Sequence, residues 1–348
     1  MLRKLLIIFL GVSLLAVAVV AAALWKHTQV LEQSLQLEGE QLLNVPAGST
    51  PNALLAQLEQ RGVMKGALWL RLGWRLQGQV QPLRTGEYEL APNMTVAQLL
   101  EKWRIGDVVQ HRITLVEGWS FRQVRQALAQ QEKLEQSIGE LSNSELMRTL
   151  GLANVHPEGR FFPDTYQYVR GQSDLDILHQ ASERLQKVLA EEWAGRAEGL
   201  PYKSPDEALI MASIIEKETG VAHEREEIAG VFVRRLNIGM LLQTDPTVIY
   251  GMGERYSGKI TRADLRRPTP YNTYVISGLP PTPIAMVGRE AIHAALHPKP
   301  GKSLYFVARG DGSHVFSNTL REHNQAVREY QLKRRSDYRS SPAPVSKD

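Results

Sequence analysis

Residues 205–219 read Pro-Asp-Glu-Ala-Leu-Ile-Met-Ala-Ser-Ile-Ile-Glu-Lys-Glu-Thr, and the eight positions from Ala208 to Ile215 carry no charge. At 3.6 residues per turn those positions point in every direction, so the segment predicts a helix buried on most sides. Such a helix needs partners on each flank, and the chain supplies them. Asp174 to Glu192 repeats apolar residues at helical spacing. Glu224 to Asn237 places Ile228, Val231, Phe232 and Leu236 on one stripe. Its first turn is acidic, Arg234 and Arg235 lie in its last, and Gly239 follows, which suits the macrodipole and a glycine stop. Strand-like runs come next at Ser303–Ala308 and His314–Ser317, then a helix from Leu320 to about Lys333. The tail 334–348 is rich in Ser, Pro and charge and reads as disordered.

N-terminal to the buried helix, one pattern recurs between residues 45 and 130. Val45-Pro46-Ala47-Gly48-Ser49-Thr50 leads into Leu54, Leu55 and Leu58. Leu90-Ala91-Pro92-Asn93-Met94-Thr95 leads into Leu99, Leu100 and Trp103, and Leu115-Val116-Glu117-Gly118-Trp119-Ser120 into Val124 and Leu128. Each is a strand end, a turn, a Ser or Thr N-cap and an amphipathic helix. Three such units predict a small α+β module ahead of a larger, mostly helical α+β domain.

Leu5 to Leu24 is an uncharged apolar run of twenty residues, about 30 Å of helix, the thickness of a bilayer core. Trp25 and Lys26 follow where an interface anchor belongs. A cleaved signal peptide is the alternative, since Ala21-Ala22-Ala23 offers small residues, but a signal core runs only about 7–15 residues. Arg3 and Lys4 precede the span, whereas Lys26 alone is set against Glu32, Glu38 and Glu40 after it. The positive-inside rule places the N-terminus in the cytoplasm and the rest outside. The 348 residues carry 41 Lys and Arg against 37 Asp and Glu, close enough to balance to argue against a dedicated nucleic-acid binder. With no cysteine, a disulfide scaffold, a zinc ribbon, an iron–sulfur site and a thiol nucleophile are all excluded.

For chemistry the sequence points to Glu216-Lys217-Glu218, which ends the most apolar helix. A carboxyl against a low-dielectric wall keeps its proton to higher pH, which suits an acid that cleaves a glycosidic bond. Glu218 continues the face of Met211, Ile214 and Ile215, and Glu216 points about 200° away. A solvated helix end is the plain alternative for both. Gln243-Thr244-Asp245-Pro246-Thr247 with Tyr250, and Tyr271-Asn272-Thr273-Tyr274, mix amides, hydroxyls, a carboxylate and aromatic rings as a carbohydrate site does. A rigid loop held by its own turns would use the same residues. His293 and His297 have a spacing that can bind metal, but no carboxylate or third histidine joins them in a known pattern, and surface or packing roles are assigned. Serine-hydrolase, Walker and dinucleotide motifs are absent from the sequence.

Several of these runs, in order, resemble the MltG (YceG-like) endolytic murein transglycosylases. They are Arg84-Thr85-Gly86-Glu87-Tyr88; Glu158-Gly159-Arg160-Phe161-Phe162-Pro163-Asp164-Thr165-Tyr166; Ala212 to Thr219; Val231 to Leu236; and Leu242 to Gly251. Tyr271 to Tyr274 with Gly278-Leu279-Pro280-Pro281, then His314 to Ser317 with Glu322-His323-Asn324, complete the set. Arg160 departs from the family pattern, which has an apolar residue there. The resemblance implies a cytoplasmic N-terminus and transmembrane helix (1–25), a LysM-like module (26–139), a catalytic domain (140–333) and the tail (334–348), in a single-pass bacterial inner-membrane protein facing the periplasm. It implies cleavage of the MurNAc-β-1,4-GlcNAc bond within peptidoglycan glycan strands to leave 1,6-anhydroMurNAc ends, terminating or trimming nascent strands. Glu218 falls on the catalytic glutamate, with Gln243, Asp245, Thr247, Tyr250, Asn272 and Tyr274 as substrate-binding candidates. Glycan strands, the inner membrane and peptidoglycan synthases are the implied partners, with no cofactor, no metal and no nucleic acid. Two other classes stay open on the residues alone: a non-catalytic peptidoglycan-binding protein, and a muramidase with Asp245 as second carboxylate.

Overall fold

A computed structural model describes residues 2–77 and 83–332; the tail 334–348 and Lys333 lie outside the described residues. The fold is mixed α+β and mostly helical, with three two-stranded sheets among the described residues. It divides into two compact units. Among the described residues, one holds 2–77, 83–112, Glu132–Glu135 and Gln167–Ser173, the other Ile113–Gln131, Gln136–Tyr166 and 174–332.

The first unit opens with helix α1 (Leu2–Glu32), which runs past the apolar segment by about two turns. Its length and composition are those of a membrane-crossing helix. Then come β1 (Gln41–Val45), α2 (Pro51–Gln60), α3 (Ala67–Gln77), β2 (Gly86–Leu90) and α4 (Val96–Ile105). β1 and β2 pair antiparallel, Leu43 opposite Tyr88. The caps read from the sequence are in place. Thr50 accepts from Ala53 N ahead of Pro51, and Thr95 forms a capping box with Gln98. α4 stops at Gly106, whose φ of 70° only glycine adopts freely. Leu54, Leu55 and Leu58 of α2 and Val96, Leu99 and Trp103 of α4 close over the fully buried Tyr88. β3 (His111–Thr114) and α5 (Phe121–Ala129) form the third strand–turn–helix unit, and Gln123 Oε1 accepts from Ser120 N at 2.9 Å. α5 itself belongs to the second unit.

After α5 the chain forms α6 (Asn143–Thr149), β4 (Thr165–Tyr168), which pairs with β3, and α7 (Asp174–Ala194), two residues longer than its apolar spacing predicts. Asp174 starts α7 by accepting from Ser137 and Ile138 amides at 2.9 and 3.3 Å. α8 (Pro205–Glu218) follows, with every residue from Ala208 to Ile215 buried as expected. Its one buried hydroxyl is satisfied twice: Ser213 Oγ donates to Ile210 O at 2.7 Å and accepts from Ile284 N at 3.0 Å. Next come α9 (Arg225–Asn237), entered through a 3-10 turn at Ala222–Glu224, α10 (Asp245–Met252), α11 (Arg262–Arg266) and α12 (Arg289–Leu296). α12 packs on α7, α8 and α9, and α10 on α8. The strands β5 (Tyr305–Ala308) and β6 (His314–Ser317) form a hairpin, and α13 (Leu320–Val327) runs on as a π turn to Leu332. β5 begins two residues after the predicted start, because Ser303 and Leu304 turn their carbonyls to Arg234 and Arg235.

Candidate functional site

A cavity of about 830 Å³ opens in the second unit, walled by the end of α8, the segment 242–245, Tyr274, the β5–β6 hairpin and α13. Glu218 is the last residue of α8 and lines it. Burial pushes its carboxyl up to about 7, with Asp245's charge adding to the rise; the Thr244 hydrogen bond and Arg235 oppose it. The Thr244 hydroxyl donates to Glu218 Oε1, so one carboxyl oxygen is oriented and the other is left for chemistry.

Thr244 owes its aim to a buried threonine network. Its amide donates to Thr273 Oγ1 at 3.0 Å. Thr247 Oγ1 donates to Thr244 O at 2.8 Å and lies 2.8 Å from Thr273 Oγ1. Gln243, one residue earlier, takes φ of 51°, a left-handed conformation rare outside glycine, and its amide donates to Thr273 O at 3.1 Å. Arg235 holds the same segment from the other side. Its Nε donates to Leu304 O at 2.6 Å and its Nη1 to Leu242 O at 2.7 Å, with the guanidinium over Tyr305.

Of the sequence-predicted residues, Gln243, Asp245 and Tyr274 line the cavity with Glu218, and Tyr274 OH donates to Asp245 Oδ1 at 2.6 Å. Thr247, Tyr250 and Asn272 do not line it. Thr247 is fully buried in the threonine network. Asn272 spends its amide on the carbonyls of Asp264, Leu265 and Arg267, and its Oδ1 accepts from Tyr274 N. Tyr250 packs edge-on against Tyr271, and its hydroxyl donates to Glu158 Oε2 at 3.0 Å. Buried Glu158 also accepts from Phe121 N at 2.8 Å, and burial pushes it up to about 7. Arg160, the departure from the family pattern, reaches Asp206 in the first turn of α8 at 2.5 Å.

Glu216 is a second raised carboxyl, up to about 7 through burial and then the charge of Glu117. It does not line the cavity. Its Oε2 accepts from the amide of Gly288, the N-cap of α12, at 3.1 Å.

Thr244 belongs to a run the sequence marks for sugar contact, but its role as partner of Glu218 is not legible there, and Arg235 is assigned no part in the site. Arg235 was legible in principle, since it follows Val231 by four and Phe232 by three and so continues the buried stripe of α9. The cavity also takes in His314, whose Nδ1 lies 2.7 Å from buried Glu224 Oε2, and His323, stacked on Tyr305 with a buried, unpartnered Nδ1. Elsewhere the fold brings Glu192 to His293 and His297, the carboxylate that sequence spacing did not supply, with one ligand atom of each within 4.8 Å of the others. Arg289 already holds Glu192 Oε1 at 2.8 Å, and both His297 nitrogens face carbonyl oxygens at 3.1 and 2.8 Å. That group therefore works as an ion-pair and hydrogen-bond cluster.

The model of the YceG-like family matches residues 43–329. A Bacillus subtilis protein named endolytic murein transglycosylase is 32% identical over 305 residues, 83% of this chain and 84% of that protein. A Streptococcus pneumoniae protein of the same name is 25% identical over 322 residues, and the match spans 58% of that longer protein. The crystal structure of a yceG-like protein from Listeria monocytogenes superposes with a TM-score of 0.52 at 32% identity, covering 82% of this chain and 98% of that one.

Proposed function

The chain belongs to the YceG-like family, and we propose that Glu218 is the acid of its reaction. It is an endolytic murein transglycosylase, a lyase that acts on peptidoglycan. The observation that carries the assignment of Glu218 is its place: a desolvated carboxyl at the wall of a large cavity, with one oxygen held by Thr244.

Bond cleavage then needs one carboxyl. Glu218 donates its proton to the glycosidic oxygen between N-acetylmuramic acid and N-acetylglucosamine, and the C1–O bond breaks. The C6 hydroxyl of the same muramic ring attacks C1 and closes a 1,6-anhydro ring, and its proton returns to Glu218. A tethered nucleophile supplies the proximity that hydrolases obtain by holding water. Burial supports the acid role, because a carboxyl held near 7 is still about half protonated at neutral pH, where an ordinary one is almost wholly ionised. Gln243, Asp245 and Tyr274 contact the sugars in this reading, while Thr247, Tyr250 and Asn272 support the loops that carry them.

Asp245 lies close enough to raise Glu218, which gives a muramidase reading its one specific support. Cleavage of long, uncrosslinked glycan in isotopically heavy water separates the two. Anhydro ends with no solvent oxygen at C1 are expected; reducing muramic ends carrying that oxygen would end the transglycosylase mechanism even if Glu218 proved essential.

The remaining readings are proposals of the same kind. The strand–turn–helix units at α2 and α4 support a LysM-like module within 26–139, ahead of a catalytic domain over 140–333. The charge bias around α1 supports a cytoplasmic N-terminus and a periplasmic catalytic domain at the bacterial inner membrane. Synthases that deliver nascent strands are the partners this activity would meet.

A further inference from the structure

α1 meets the first unit along a single stripe. Among residues 3–30 only Ala23, His27 and Val30 lose much of their exposure, and their spacing of four and three places them on one face. Ala23 lies inside the apolar run that ends at Leu24, so the covered stripe continues into the span itself.

α3 is what runs along that stripe. A Cβ on Gly66, just before α3, would press on Val30, and one on Gly73 would press on the ring of His27. His27 Nδ1 also lies 3.2 Å from the carbonyl oxygen of Trp69. α3 therefore starts beside Val30 and heads back toward the membrane end of α1. Glu59 Oε1 fixes its start by accepting from the amides of Gly66 and Ala67 at 2.8 and 3.2 Å.

Leu70 and Ala67 are fully buried in the unit's core, but Leu68 is 61% exposed and Leu72 40%. Leu68, Leu72 and exposed Arg75 stand at i, i+4 and i+7, a single outward face of two leucines ending in a cation. His27 follows Leu24 by three residues, about 4.5 Å along the helix. A bilayer's polar layer is roughly 5–7 Å deep on each side, so Gly73, packed on His27, lies at headgroup depth.

We propose that α3 touches the bilayer surface at its C-terminal end. Leu72 reaches the phospholipid headgroup layer of the bilayer that α1 crosses and Arg75 meets anionic headgroups, while Leu68, nearer Val30, stands further out. An apolar side chain beside a cation is what such a surface binds. The inference rests on α1 spanning a membrane. Its consequence is a second membrane contact that sets the height and rotation of the first unit, which a single helix would leave free to swivel.

The chain's lack of cysteine makes the test clean. Single cysteines at Val17, Leu72 and Gln186 would carry an environment-sensitive fluorophore in the full chain, reconstituted into phosphatidylethanolamine–phosphatidylglycerol vesicles. Val17 reports the span and Gln186, exposed on α7, reports water. The Leu72 label is expected to emit blue-shifted light, to be quenched by a nitroxide on the lipid headgroup, and to resist iodide several-fold better than the Gln186 label. A protected Val17 with Leu72 as open to iodide as Gln186 would overturn the α3 contact and leave the anchor standing. Val17 as open as Gln186 would remove the anchor and the inference together.

Discussion

Glu216 and Glu218 leave the last turn of α8 two residues apart, and burial pushes both up to about 7. One faces a backbone amide at the start of another helix; the other faces a cavity and a hydroxyl. A raised carboxyl is therefore not by itself the mark of an acid catalyst. Access for a substrate makes the difference, since each carboxyl has one oxygen held by a donor far along the chain, Gly288 for Glu216 and Thr244 for Glu218.

The largest effect that could break this contrast is loss of the acid. Glu218→Gln keeps the shape and removes the proton, and strand cleavage should fall on the order of 10²–10⁴-fold. Glu216→Gln should retain activity within a few-fold, because glutamine's carbonyl oxygen still accepts from Gly288 N. The assay is mass analysis of anhydro-ended products from purified protein and glycan. Equal losses in the two variants would place the acid on neither face alone.

A smaller effect sharpens the role of Thr244. Its hydrogen bond stabilises the carboxylate and so holds Glu218 below the value burial alone would set. Thr244→Val removes the donor, the acid keeps its proton to higher pH, and the falling basic limb of the pH–rate profile should move upward. The rate at its optimum should drop about tenfold as the carboxyl loses its orientation. Thr244→Ser should restore both. A Val variant with a reduced rate and an unmoved limb would make Thr244 a packing residue only.

How much of this was legible in the sequence follows the range of the interactions. α8 was readable because its eight uncharged residues sit within a fifteen-residue stretch that reads as a helix buried on most sides, and the caps at Thr50, Thr95 and Ser120 because their partners lie three residues on. Asn272 and Thr247 carry sugar-binding chemistry in their side chains, but the folded chain spends those groups on carbonyls and hydroxyls that it brings to them. Thr244 meets Glu218 across 26 positions and Glu192 meets His293 across 101, distances over which spacing carries no signal. Arg235 is the instructive miss, since its place on the stripe of α9 marked it as inward while its charge suggested a helix end.

The smallest expected effect separates the two causes that raise Glu216. A carboxyl raised in the native state holds its proton more tightly there than in the unfolded chain. Below the ordinary value of 4.5 both states are protonated and nothing is lost; between 4.5 and about 7 the unfolded chain ionises first and stability falls as pH rises. Glu216→Gln should remove that fall, on the order of 1–3 kcal/mol at pH 8 and nothing at pH 4, read from denaturant unfolding at the two pH values. Gly288→Ala removes only part of it. Gly288 has φ of −74°, which alanine adopts freely, but the new Cβ would meet the carboxylate of Glu117. Glu117 is exposed and can swing into water, taking its charge away from Glu216. Alanine is also a poorer N-cap than glycine, which costs about 0.5–1 kcal/mol at every pH. The variant's stability curve should thus lie below the wild type's at pH 4 and approach it by pH 8, with cleavage activity unchanged. Parallel curves would leave burial as the sole cause at Glu216, and a tenfold loss of activity would mean that the Gly288 face takes part in the reaction after all.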